Sequence, residues 1–159
     1  MGVAVSPLGV ARIVLPQVSR AKAERDLLSV NSAPLREHEA LALLAQAQAQ
    51  LVEFLAGKRR TLDLPPDLSL GTPFQRKVWR AALRIPYGRV RSYKWIAVRV
   101  GGGRYARAVG LALGANPVPI LVPCHRVVAQ DGSLGGFSCG LPAKRKLLTL
   151  EGTLKQLKS

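Results

Sequence analysis

Residues 92–114, Ser92-Tyr93-Lys94-Trp95-Ile96-Ala97-Val98-Arg99-Val100-Gly101-Gly102-Gly103-Arg104-Tyr105-Ala106-Arg107-Ala108-Val109-Gly110-Leu111-Ala112-Leu113-Gly114, decide the fold of the second half of this chain. The Ser92 hydroxyl can accept from the free N–H groups of a helix start, so a helix is expected over residues 93–100. Three consecutive glycines break it, and a second helix follows at once over 105–114 until Asn116-Pro117 ends it. Two short helices joined by a Gly-rich turn make a helix-turn-helix.

Upstream, Thr72-Pro73 has the form of an N-cap with proline at the first helical position, leading a helix over 74–83 in which Phe74, Val78 and Leu83, with Trp79, face a core. Ile85-Pro86-Tyr87-Gly88-Arg89 is a turn, and Val90 starts a short extended piece. The proline pair in Leu62-Asp63-Leu64-Pro65-Pro66-Asp67-Leu68 reads as a linker or domain crossing, and a boundary is expected there. Before it, residues 35–57 place Leu41, Leu44, Leu51, Phe54 and Leu55 on one helical face, and Lys58-Arg59-Arg60 suits the C-terminal end of that helix. Val3-Ala4-Val5 and residues 10–15 have strand character, separated by Ser6-Pro7-Leu8-Gly9. The expected class is α+β: a small N-terminal α/β domain with linker over 1–66, then a mainly helical domain over 67–159.

The 159 residues suffice for one ordinary domain or two small ones, and 48% hydrophobic residues supply a core. The 24 Lys and Arg against 9 Asp and Glu leave a net charge of +15. Such a balance favours a polyanionic partner, nucleic acid first. Arg76, Lys77, Arg80, Arg84, Arg89, Arg91, Lys94, Arg99, Arg104 and Arg107 fall in one short span, which favours a binding face over a diffusely basic surface. Two cysteines, Cys124 and Cys139, are too few for a secreted disulfide framework and lack zinc-site spacing, so no metal and a reducing compartment are expected. With no charged leader and no membrane-length apolar run, the expected location is the cytoplasm.

The chemistry-bearing segment is Pro123-Cys124-His125-Arg126-Val127, seven residues after Asn116-Pro117-Val118-Pro119. A thiol beside an imidazole becomes a strong nucleophile when the imidazole takes its proton, although a lone Cys in an apolar run is more often a small core residue. His125 is the imidazole available to Cys124, since His38 lies in the other segment. Arg126 is given no firm role. Ala106, Ala108 and Gly110 leave one helix face small enough to approach a nucleic-acid backbone, and equally suit close helix packing.

Together with Tyr93, Arg107 and Glu151-Gly152, this segment resembles the active-site signature of the O6-alkylguanine-DNA alkyltransferases, also called methylated-DNA-protein-cysteine methyltransferases, over residues 72–152. The resemblance implies a winged helix-turn-helix whose second helix enters the minor groove of double-stranded DNA, preceded by an RNase H-like sheet that is reduced here. It implies DNA contacts from Ala106, Gly110 and Arg104, with Arg107 filling the gap left by a nucleotide rotated out of the stack, largely independent of sequence. It further implies irreversible, single-turnover transfer of an alkyl group from O6-alkylguanine to Cys124. In this reading His125 takes the thiol proton through a water, Glu151 orients His125, Asn116 bridges the preceding turn, and Tyr93 donates to the departing guanine.

Val127, Phe137, Ser138, Cys139 and Pro119 are expected around the base, with glycines 135, 136 and 140 permitting close approach. Phe137 stands where many relatives carry tyrosine and Cys139 where many carry glycine, so a narrowed pocket that accepts methyl and resists bulky adducts is expected. No cofactor and monomeric action are implied, with O4-alkylthymine left open as a second substrate. Two rivals remain: a non-catalytic alkylated-base-binding protein, against which the retained Cys124 argues, and a helix-turn-helix regulator, which leaves residues 123–127 and Glu151 without a purpose.

Overall fold

A computed structural model of the chain describes residues 1–16, 19–30 and 35–158. The chain divides into two compact units, Met1–Leu70 with Pro117–Leu121, and Gly71–Asn116 with Val122–Ser159. Both mix helices with a small sheet.

In the first unit, β1 (Gly2–Ser6) and β2 (Gly9–Val14) form an antiparallel hairpin with Val3 opposite Ile13 and an irregularity at Ala4/Val5. Helix α1 (Arg20–Leu28), capped by Ser19, was not foreseen; it buries no residue, so it lacks the apolar stripe that reveals a helix in sequence. Helix α2 (Glu37–Leu55) packs on the hairpin and buries Ala47, Gln50, Leu51 and Phe54 at i, i+3, i+4 and i+7, while Leu41 and Leu55 stay exposed.

The Pro65-Pro66 stretch is not a free linker. Val10 N–H donates to Pro65 O and Asp67 N–H to Val10 O, both at 2.8 Å, so it runs as a parallel neighbour of β2. Ser6 Oγ donates to Asp67 at 2.5 Å. Burial pushes the Asp67 carboxyl up, but the bonds from Ser6 and Ser69 outweigh it and hold it below its ordinary value. These ties carry residues 67–70 into the first unit, beyond the expected boundary at 66. The segment 117–121 joins the same unit, with Ile13 N–H donating to Pro117 O at 2.9 Å. Buried Ile120 there has φ +74°, a conformation costing a β-branched residue about 1–3 kcal/mol.

In the second unit, α3 (Pro73–Leu83) starts with a reciprocal capping box between Thr72 and Gln75. Helix α4 (Tyr93–Val100) is capped by the Ser92 hydroxyl, which accepts from Trp95 N–H at 3.1 Å. Gly101 and Gly102 turn the chain into a 3-10 turn (Gly103–Tyr105) and then α5 (Ala106–Gly114). The three helices pack pairwise around Val78, Trp79, Ala82, Ile96, Ala97, Val109 and Ala112, and Trp79 Nε1 donates to Ala112 O at 2.8 Å. Leu83 stays exposed, and Phe74 is half-buried near the Tyr105 ring. Two-residue strands β3 (Arg91–Ser92) and β4 (Val127–Val128) pair in parallel, and α6 (Leu141–Leu150) buries Ala143, Lys144, Leu147 and Leu148.

Candidate active site

Cys124, His125 and Arg126 form a single 3-10 turn between Pro123 and β4, and all three side chains are buried. One turn spreads three consecutive side chains in different directions, so thiol, imidazole and guanidinium need different partners. Asn116, just past the end of α5, supplies the first. Its Nδ2 donates to Val122 O at 3.0 Å and to Cys124 Sγ at 3.1 Å, joining the helix end to the approach of the reactive turn.

Glu151, following α6, supplies the rest. His125 Nε2 stands 2.7 Å from Glu151 Oε1. Arg126 Nε reaches both carboxylate oxygens at 3.1 and 3.0 Å, Arg126 Nη2 donates to Oε1 at 2.9 Å, and Arg126 Nη1 donates to Ile85 O at 2.7 Å. Gly88 N–H donates to Glu151 Oε2 at 3.2 Å, from a turn whose φ of +75° favours glycine. Tyr87 completes the surround, its hydroxyl donating to Leu150 O at 3.0 Å.

The charges follow from these bonds. Burial pushes the Glu151 carboxyl up, but hydrogen bonds from His125 and Arg126 together hold it below its ordinary value, so it is a carboxylate. Burial pushes the His125 imidazole down against the opposing pull of Glu151, so it is neutral near pH 7. A carboxylate cannot donate, which places the imidazole proton on Nε2 and leaves a lone pair on Nδ1. His125 Nδ1 is buried without a hydrogen-bond partner, a ready proton acceptor. Burial raises the Cys124 thiol to about 11, partly opposed by the Asn116 bond, so the resting sulfur is a thiol that requires a base.

Cys124 lines a cavity of about 410 Å³, of ligand-pocket size, with Tyr93, Ala106, Arg107, Gly110, Phe137 and Ser138 among its walls. Tyr93, at the start of α4, donates its hydroxyl to Gly136 O at 3.2 Å, and burial holds its phenol proton on. A Cβ at Gly135 would lie 2.7 Å from the Tyr93 ring, so this wall closes on the tyrosine only with glycine there. Lys144 is wholly buried behind it. Its ammonium donates to Val127 O (2.6 Å), Leu134 O (2.5 Å) and Gly136 O (3.0 Å), and burial lowers it to about 8 against the favourable charge of a Cys124 thiolate.

Of the residues expected around the substrate, Phe137 and Ser138 line this cavity and three others do not. Val127 is fully buried in β4, where its carbonyl serves Lys144; Pro119 sits in the buried 117–121 segment of the first unit; Cys139 is half-buried, with Sγ 3.9 Å from Ser138 Oγ. The expected narrowing by Cys139 therefore has no basis in the cavity lining. Arg107 is an exposed cavity wall, whereas Arg104 lies outside the lining, its guanidinium 5.3 Å from the Tyr105 ring centroid. Among the described residues no three His, Cys, Asp or Glu side chains gather into a metal-holding group.

Sequence reasoning left Arg126 open and missed Gly88 and Lys144. A signal for Lys144 was present: Lys144, Leu147, Leu148 and Glu151 follow the i, i+3, i+4, i+7 spacing of one buried helix face.

The chain is similar to known proteins over much of its length. A methylated-DNA–protein-cysteine methyltransferase of Methanosarcina barkeri is 48% identical over 108 residues, covering 67% of this chain and 66% of that protein. The constitutive enzyme of that name from Bacillus subtilis is 50% identical over 102 residues, 64% of this chain and 61% of its own. The aligned segment thus spans less than two thirds of either relative. A crystal structure of Mycobacterium tuberculosis OGT in complex with DNA superposes with a TM-score of 0.72 at 38% identity, covering 91% of this chain and 82% of that one. The M. tuberculosis O6-methylguanine methyltransferase gives 0.70 at 35%, covering 99% and 94%. Residues 73–153, the stretch holding Tyr93, Asn116, the reactive turn and Glu151, match the DNA-binding domain of the 6-O-methylguanine DNA methyltransferases, and the chain belongs to that family.

Proposed function

We propose that this protein repairs DNA by moving an alkyl group from O6 of guanine onto Cys124, once per molecule. The observation that carries the reading is the position of the thiol, in the wall of a guanine-sized opening, beside a neutral imidazole whose one nitrogen is tied to Glu151 and whose other is unengaged. The thiol proton passes through a water to His125 Nδ1. Sulfur attacks the alkyl carbon, the S–C bond forms as the C–O6 bond breaks, and the electron pair leaves with the purine. Tyr93, protonated at neutral pH, donates a hydrogen bond to the leaving base, and the proton held by His125 restores its neutrality. Glu151, itself held by Arg126, keeps the neutral imidazole in the Nε2–H tautomer before the thiol proton arrives and after it has left. The product is a thioether, which ordinary thiol exchange does not cleave, so turnover ends there.

A stacked O6 substituent cannot reach a buried sulfur, so the base enters the cavity rotated out of the duplex. Helices α4 and α5 act as a winged helix-turn-helix on the minor groove, with Ala106 and Gly110 close to the backbone and Arg107 in the vacated stack. The first unit is a reduced RNase H-like scaffold. The protein acts as a monomer in the reducing cytoplasm. Among the described residues no helix is long and apolar enough to cross a membrane.

The test is to incubate the protein with a duplex carrying one O6-methylguanine, weigh it intact and map the adduct. One added methyl per molecule, on Cys124 and absent in Cys124→Ser, is the expected result. Tight lesion binding with unchanged mass overturns it in favour of a binding-only protein.

A further inference from the structure

A second groove lies between α3 and α4, about 320 Å³ in volume and lined by Lys77, Arg80, Ala81, Arg84, Arg99 and Val100. It shares no residue with the reactive cavity, to which α4 contributes only Tyr93 from its opposite end. Lys77, Arg80 and Arg84 recur at i, i+3 and i+7, so they stand in one row along α3, and Arg99 faces them from the last turn of α4. All four are exposed.

Arg99 is held in place. Its guanidinium stacks 3.5 Å from the Trp95 ring centroid and its Nη1 donates to Trp95 O at 3.1 Å, so little side-chain freedom remains to lose on binding.

Four like charges around one small groove repel one another unless an anion joins them. The neighbouring sequence supplies none: from Leu68 to Gln130 there is no Asp or Glu at all. The two later carboxylates are engaged elsewhere, Asp131 with Ser133 and Glu151 with His125 and Arg126. Guanidinium forks on a rigid row match phosphate oxygens in geometry as well as charge.

The geometry points to the α3–α4 groove as a second DNA-backbone site, binding phosphodiester oxyanions apart from the nucleotide in the reactive cavity. The phosphates come from the flank of the duplex already engaged or from a second duplex. This goes beyond alkyl transfer and is tested on undamaged DNA, so its failure is separate from failure of the repair reaction.

The experiment measures affinity for an undamaged duplex against salt concentration for the full chain, R80E/R84E and R80K/R84K. Each phosphate contact contributes about 0.9 to the log–log salt slope, so R80E/R84E is expected to lower the slope by about 2 and the affinity by at least about tenfold, with R80K/R84K near wild type. A lowered slope in the 1:1 complex assigns the groove to the flank of the same duplex. An unchanged 1:1 slope with loss of energy transfer between two differently labelled duplexes assigns it to a second duplex. Unchanged behaviour in both assays overturns the proposal. On the unmodified protein, the Nε–H resonances of Arg80 and Arg84 are expected to shift on adding duplex; their failure to move overturns it equally, whatever the variants do.

Discussion

The two units differ most in how they handle charge. Residues 1–70 and 117–121 carry eight Lys and Arg against seven Asp and Glu, whereas 71–116 and 122–159 carry sixteen against two. In the first unit carboxylates form ordinary pairs, Arg20 with Glu24 and Arg59 with Glu53 and Asp63. In the second, Glu151 is enclosed in the reactive network and little remains to balance the surface. The second unit therefore holds +14 of the net +15, a balance that suits an external polyanion.

The comparison breaks most sharply at Glu151. Glu151→Gln leaves Arg126 as a buried, uncompensated cation and replaces one carboxylate oxygen with an amide donor, so the His125 tautomer is no longer fixed. The transfer rate is expected to fall about 10²–10⁴-fold, and unfolding free energy by about 3–5 kcal/mol, measured by single-turnover kinetics and denaturant titration.

Acid attacks the same network. The imidazole of His125 is lowered below its ordinary 6.5, so as pH falls through 6.5 the unfolded chain binds a proton that the native protein refuses. Stability is expected to drop with pH from there. A second loss begins near 4.5, the ordinary value below which Glu151 is held, because the unfolded carboxyl protonates first. A stability profile flat from pH 7 to 5 would contradict this assignment.

Lys144→Met sharpens the contrast in a smaller way. It removes a buried charge but orphans the Val127 and Leu134 carbonyls, with an expected loss of about 1–3 kcal/mol. A looser Gly135–Gly136 wall should also slow transfer, and Lys144→Arg, too large for the cage, should not restore it. Smallest of the four, Ser6→Ala in the first unit removes the bond to Asp67 and is expected to cost about 1 kcal/mol while leaving the transfer rate unchanged. A Ser6→Ala protein that transfers slowly would end the division of labour between the units.

Local signals made much of this fold legible. Thr72-Pro73, Ser92 and the glycines at 101–103 mark α3, α4 and the break before α5, because caps and breakers act within a turn or two of where they stand. What stayed hidden is non-local. Nothing near Arg91 announces a parallel partner at Val127, and nothing in Pro65-Pro66 announces β2 as its neighbour. At the site, Cys124, His125 and Asn116 could be named from the resemblance of their segment to a family's active-site signature. Arg126 could not, since its partners Glu151 and Ile85 lie 25 and 41 residues away. Lys144 was obscured by chemistry, because a lysine beside Arg145 and Lys146 reads as surface until the tertiary structure places it inside.

That lysine also bears on the moment at which Cys124 gives up its proton. Three backbone carbonyls hold the ammonium of Lys144, and the negative charge of a Cys124 thiolate favours that form further. The resting sulfur is a neutral thiol and an alkylated one a neutral thioether, so only the thiolate formed on deprotonation answers the buried cation. Lys144, which takes no part in bond making, therefore lowers the cost of a negative charge that exists only between two neutral states of the sulfur.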